Sequence, residues 1–100
     1  MDYEITWSPE AWEDIEAIAS YIHKDSPLYA QQVVEELIAA ARSLAQFPLR
    51  GRRVPELIST HRERFIYSYR MIYRVEDRRV LIVAVIHGKR LLHSVERFTP

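Results

Sequence analysis

The chain has no cysteine and, in one hundred residues, two glycines, Gly51 and Gly88. Without cysteine there is no disulfide, no zinc–thiolate centre and no thiol nucleophile. Two isolated glycines cannot build a phosphate-cradling loop. The four histidines, His23, His61, His87 and His93, do not pair four residues apart as metal ligands on one helix face do, so no metal or cofactor is expected. Neither Ser8 nor Ser26 has the setting of a serine-hydrolase nucleophile, and each reads better as a helix cap. Long apolar runs are missing too. The longest, Val80 to Ile86, is far too short to cross a bilayer. The opening residues, Met1 to Trp7, are acidic and lack the apolar core of a signal peptide, so a cytoplasmic protein with no membrane partner is expected.

What is present is enough apolar material for one packed core. Hydrophobic residues make up 48% of the chain and charged residues 28%, a balance suited to a folded domain spanning residues 1–100. The net charge of zero hides an asymmetry. Residues 1–49 carry nine acids against two bases, Lys24 and Arg42, for a net of −7. Residues 50–100 carry twelve bases against five acids, for a net of +7. Such a division suits a face turned to a polyanion or an acidic protein, although two halves that pair internally would give the same count.

Local patterns set the order of elements. Residues 3–7 alternate apolar and polar, as a half-covered strand does. Ser8-Pro9 and Ser26-Pro27 each combine a serine N-cap with proline at the first helical position. Behind the first, Trp12, Ile15, Ile18, Ala19 and Ile22 recur at helical spacing. Behind the second, a stripe from Ala30 to Ala45 predicts a helix reaching about Gln46. Two such helices with a short joint form a hairpin. Phe47-Pro48 ends the second, and residues 49–56 read as an irregular basic loop. Three strands are then expected: Arg62 to Tyr67, Tyr69 to Val75 and, after a tight turn, the continuously apolar Val80 to Ile86. The expected fold is α+β, in the order β-α-α-β-β-β, with an antiparallel sheet carrying the helical hairpin on one face.

Alternation places Arg70 and Arg74 on the sheet face away from the helices. The Val80–Ile86 strand needs apolar cover on that same face, from either the tail (Leu91, Leu92, Val95, Phe98) or a partner segment. A groove, half apolar and half lined by arginine, is therefore expected there. Its candidate binding residues are Arg62, Arg64, Arg70, Arg74, Lys89 and Arg90, since guanidinium forks grip phosphates and carboxylates and stay charged at any relevant pH. Tyr67, Tyr69 and Tyr73 interleave with these cations and read as core packing or as base-stacking rings. Trp7 and Trp12, at the start of the first helix, read as core.

Four stretches together resemble the RelE/ParE toxin superfamily, the plasmid stabilisation proteins of type II toxin–antitoxin systems. They are Trp7-Ser8-Pro9-Glu10-Ala11; Phe47-Pro48-x-x-Gly51-Arg52-x-Val54-Pro55-Glu56-Leu57; Tyr69-Arg70-Met71-Ile72-Tyr73-Arg74-Val75; and Val85-Ile86-His87-Gly88-Lys89-Arg90. The resemblance runs the whole chain in order and implies a cognate antitoxin. It also implies one of two activities. RelE-like members cut messenger RNA on the ribosome, with cations neutralising the scissile phosphate. ParE-like members bind DNA gyrase and trap its cleaved DNA. In the nuclease reading the resemblance carries catalytic roles to Arg70, Arg90 and Arg64. Two departures weigh against that reading. Arg62 and Arg64 stand where a lysine pair is expected, and arginine is a poor general base. The tail offers His93, Glu96 and Phe98 but no tyrosine. The resemblance therefore favours gyrase binding, with mRNA cleavage as the alternative.

Overall fold

The computed structural model describes residues 2–57 and 60–98. Strand β1 (Glu4–Trp7) leads into helix α1 (Pro9–His23) and helix α2 (Pro27–Ser43), followed by β2 (Arg52–Arg53), β3 (Arg62–Ile66), β4 (Tyr69–Glu76) and β5 (Arg79–His87). Two single 3₁₀ turns, Leu92–Ser94 and Glu96–Phe98, close the chain. Both helices start where the serine–proline pairs placed them. The Ser8 hydroxyl accepts from the Ala11 amide and the Ser26 hydroxyl from the Tyr29 amide, each at 3.1 Å, satisfying donors that the first turn leaves free. The second helix ends at Ser43, short of the expected Gln46.

The five strands run in the order β1-β5-β4-β3-β2. Strands β2 to β5 pair antiparallel, as expected. The sheet as a whole is mixed, because β1 lies parallel to β5, with Glu4 opposite Arg79 and Trp7 opposite Ile82. The stretch expected to be an irregular loop holds the short strand β2, whose Arg52 and Arg53 lie opposite Glu63 and Arg62.

The helical hairpin covers one face of the sheet. Ile15, Val33, Leu37 and Leu44 meet Met71, Tyr73, Val80, Ile82 and Val85 there. Each large side chain fully buried in this way stabilises the fold by about 1.5–3 kcal/mol. A second, smaller core lies on the opposite face: Ile72, Ala84 and Ile86 beneath Val54, Leu92 and Val95, with Phe98 packed beside them. The expected apolar cover is thus the chain's own tail.

A bulge explains how one strand serves both cores. The register passes from Ile72 opposite Ala84 to Tyr73 opposite Ile82, leaving Val83 as an extra residue. Val80, Ile82 and Val85 consequently face the helices, while Ala84 and Ile86 face the tail. The unbroken apolar run follows from this change of phase.

Tyr73 ties the loop after α2 to the sheet. It is fully buried, its hydroxyl donates to the Pro48 carbonyl at 2.8 Å, and it accepts from the Gly51 amide at 2.9 Å. A Cβ on Gly51 would lie 2.5 Å from the Glu63 carbonyl oxygen and 2.7 Å from the Tyr73 hydroxyl, so only glycine fits.

Candidate functional site

The six cations grouped by sequence do not form one surface. Arg62 and Arg64 lie opposite Tyr73 and Met71, on the helix face. Arg62 reaches back to the loop, its Nη1 donating to the Gly51 carbonyl at 2.7 Å. Arg64 Nη1 donates to the Ser43 hydroxyl at 2.9 Å and to the Ala40 carbonyl at 3.3 Å. That places a cation on the last turn of α2, where the helix dipole favours one. Both side chains serve as fastenings of the hairpin and its loop.

Arg70 lies on the opposite face, as alternation required, but it is neither exposed nor free. It is 4% exposed, and both edges of its fork are occupied by carboxylates. Its Nε donates to Glu63 Oε1 at 2.8 Å, and its Nη1 and Nη2 donate to Glu56 at 2.9 and 3.0 Å. Glu63, whose side chain is wholly buried, also accepts from Arg52 Nε at 2.7 Å. Burial works against the charged guanidinium, yet the hydrogen bonds it donates to Glu56 and Glu63 outweigh it and hold Arg70 above its ordinary pKa. The same bond from Arg70 holds the Glu56 carboxyl below the usual carboxylate range. The Arg52 and Arg70 guanidinium groups each lie over the Phe65 ring, 5.5 and 5.8 Å from its centre. The two arginines and two glutamates sum to no net charge. Hairpin register carried the missed signal: with Phe65 opposite Arg70, Glu63 stands diagonal to the arginine on the same face.

Arg74 shares that outer face, half-buried, with its Nη2 3.6 Å from Glu76. Its Nε has no hydrogen-bond partner among the described residues. The expected arginine-lined groove is therefore filled: the tail supplies the apolar cover and glutamates neutralise Arg70. Of the six cations, Lys89 and Arg90, just beyond β5, stand exposed.

An open concavity lies on the other side of the sheet. A groove of about 590 Å³ runs between α1, the start of α2, the β3–β4 turn and the end of β5. Tyr21, Tyr29, Tyr67 and Tyr69 line it over Ile18 and Ile22, with Arg90 among its walls. Tyr29 meets Tyr67 edge to face at 6.3 Å between ring centres, and Tyr69 meets His87 at 5.9 Å. Burial, together with the neighbouring Tyr29 and Tyr21, pushes the Tyr69 hydroxyl pKa up. The three tyrosines, read as core packing or as base-stacking rings, therefore part company: Tyr73 is buried, Tyr69 half-buried and Tyr67 exposed. Trp12 is likewise 43% exposed, set edge to face against the half-buried Trp7, and does not belong to the core.

Among the described residues, no cluster of histidine, aspartate and glutamate has the arrangement of a metal site, and no helix is long and apolar enough to cross a membrane.

Comparison with known proteins identifies the chain's relatives. Residues 5–92 match the family model described as the ParE toxin of the type II toxin–antitoxin system parDE. Toxin RelE2 of Caulobacter vibrioides is 39% identical over 89 residues, covering 88% of this chain and 98% of that protein. Two solved structures share the fold. The chromosomal ParDE system from P. aeruginosa superposes with a TM-score of 0.75 at 19% identity, covering 87% of this chain and 97% of that one. The RelBE2 toxin–antitoxin complex from Mycobacterium tuberculosis gives 0.60 at 26% identity, covering 87% and 99%. The chain belongs to the ParE toxin family of type II toxin–antitoxin systems, within the RelE/ParE superfamily.

Proposed function

We propose that this toxin arrests growth as a binding protein, engaging DNA gyrase and holding its cleaved DNA complex, and that it is kept silent by a cognate antitoxin. The observation that carries this reading is the state of Arg70. A cation that stabilises a scissile phosphate must present an unpaired fork to it. Here both edges of the fork bind carboxylates, and the side chain is buried. Arg64, the second cation to which the resemblance gave a nuclease role, is turned to the end of α2. Arg90 alone of the three stands exposed. One exposed arginine is a poor phosphate clamp, whereas a neutralised, tightly packed sheet face suits a protein that acts by docking. The antitoxin follows from family membership, and the solved relatives include a toxin–antitoxin complex.

Induction of the toxin without antitoxin tests the target. The expected result is accumulated gyrase–DNA cleavage complexes with messenger RNA intact on ribosomes. Truncated transcripts without DNA breaks would replace this reading with ribosome-dependent RNA cleavage.

A further inference from the structure

We infer that the toxin docks its protein target through the β2 edge of the sheet, where β2 and the loop from Phe47 to Arg50 present phenylalanines capped by arginines. The matching patch on the target carries carboxylates around apolar side chains. The inference rests on the gyrase-binding function proposed above and names the surface that performs it.

Four observations carry it. The first is apolar surface without cover. Phe47, Leu49 and Phe65 are 54%, 63% and 52% exposed. Phe47 and Leu49, with Pro48 and Arg50, line one shallow concavity of about 470 Å³. Phe65 adjoins β2 through Arg52, whose guanidinium lies over its ring. Single exposed apolar side chains are ordinary, whereas a group of large ones marks an interaction surface.

The second observation is that the loop bearing this surface is held still. The buried Tyr73 hydroxyl donates to the Pro48 carbonyl and accepts from the Gly51 amide. Arg62 Nη1 donates to the Gly51 carbonyl at 2.7 Å and to the Leu49 carbonyl at 3.4 Å, and the Arg50 amide donates to the Phe47 carbonyl at 3.1 Å. A loop fixed in this way has little conformational freedom left to lose on binding.

The third observation is charge. The Arg50 guanidinium lies over the Phe47 ring, 5.1 Å from its centre, and repeats the Arg52–Phe65 arrangement two residues earlier in the chain. Among the described residues no carboxylate pairs with Arg50, Arg62 or Arg64. Glu56 and Glu63 are already bound by Arg70. This edge is therefore positive although the whole chain is neutral, and it suits an acidic partner.

The fourth observation is composition. The cations here are arginines, while the chain's two lysines, Lys24 and Lys89, lie elsewhere. Arginine and aromatic residues are enriched in protein–protein interfaces and lysine is depleted. A phosphate backbone would neutralise the arginines but leave Leu49 and Pro48 without an apolar partner. Strand β2 is two residues long and both are arginine. Such a short, charged edge discourages strand addition, so the partner engages side chains.

The experiment measures binding of the purified toxin to purified gyrase at low and high salt. Phe47→Ser and Arg50→Glu are each expected to weaken binding at least about tenfold, the size of effect a central anchor gives. Their melting temperatures should match the parent's, because both side chains are exposed. Arg50→Lys keeps the charge but loses the flat fork over the ring, and its affinity should fall between. The parent's affinity should drop as salt rises, and that of Arg50→Glu should drop less. On induction both weakened variants should fail to arrest growth while still binding the antitoxin as the parent does. Parental affinity for gyrase in both variants would overturn the inference and leave the functional reading standing. Failure of the parent itself to bind gyrase would overturn both. Loss of affinity for a labelled DNA duplex, with gyrase affinity retained, would reassign the edge to nucleic acid. Loss of antitoxin binding alone would reassign it to the antitoxin.

Discussion

The two faces of the sheet use arginine in opposite ways. On the helix face, Arg62 and Arg64 donate to neutral oxygens, namely backbone carbonyls and the Ser43 hydroxyl, from half-buried positions. On the outer face, Arg70 is buried against the two carboxylates of Glu56 and Glu63. The first arrangement keeps a charge near water and needs no counter-ion. The second takes the charge out of water and depends on its partners. Residue type and strand periodicity are the same in both; depth decides which chemistry is needed.

The contrast predicts unequal costs. Glu63→Gln leaves the Arg70 charge undercompensated in the interior, and a loss of about 3–5 kcal/mol is expected from chemical denaturation. Glu63→Leu combined with Arg70→Met should recover most of that loss, because an apolar pair of similar volume replaces two desolvated charges. If Glu63→Gln costs less than about 1 kcal/mol, the buried pair is not the outer face's anchor. Arg64→Met is expected to cost only about 0.5–1.5 kcal/mol, the scale of a hydrogen bond plus a cation at a helix end. An equal loss in the two variants would erase the distinction between the faces.

The smallest expected effect is one of pH. Glu56 has a lowered pKa because Arg70 binds it, so the folded state favours the ionised carboxylate. Its contribution to stability is present above the ordinary carboxylate range and is lost as pH falls through the lowered value. Urea midpoints followed into acid should therefore drop more steeply in the parent than in Glu56→Gln. Parallel curves would show that the half-exposed ion pair adds nothing measurable.

Much of the fold was legible because its signals are local. Ser8-Pro9 and Ser26-Pro27 start helices by satisfying amides three residues away. The alternation in Tyr69–Val75 assigned each of those residues to its correct face. What was not legible depends on register between distant segments. The bulge at Val83 divides one apolar run between two cores, and no window on the run itself reveals it. The strand expected to extend through Tyr67 stops at Ile66, because the β3–β4 turn takes Tyr67 at positive φ. Arg62 and Arg64 were correctly placed on one face of their strand, but which face had to await their pairing with β4.

The sequence by itself determined the elements, the capped helical hairpin, the basic second half and the family, since each rests on spacing within a few residues or on motifs read in order. The tertiary structure alone decided the state of each charge. Arg70 looked available because its partners lie seven and fourteen residues away along the chain, and only the folded sheet and loop bring both glutamates onto it. The same folding laid the tail across the outer face, ended β1 short of the end of β5 and left the tyrosine groove open. Charge in a protein takes its meaning from depth and neighbours, and both are products of packing.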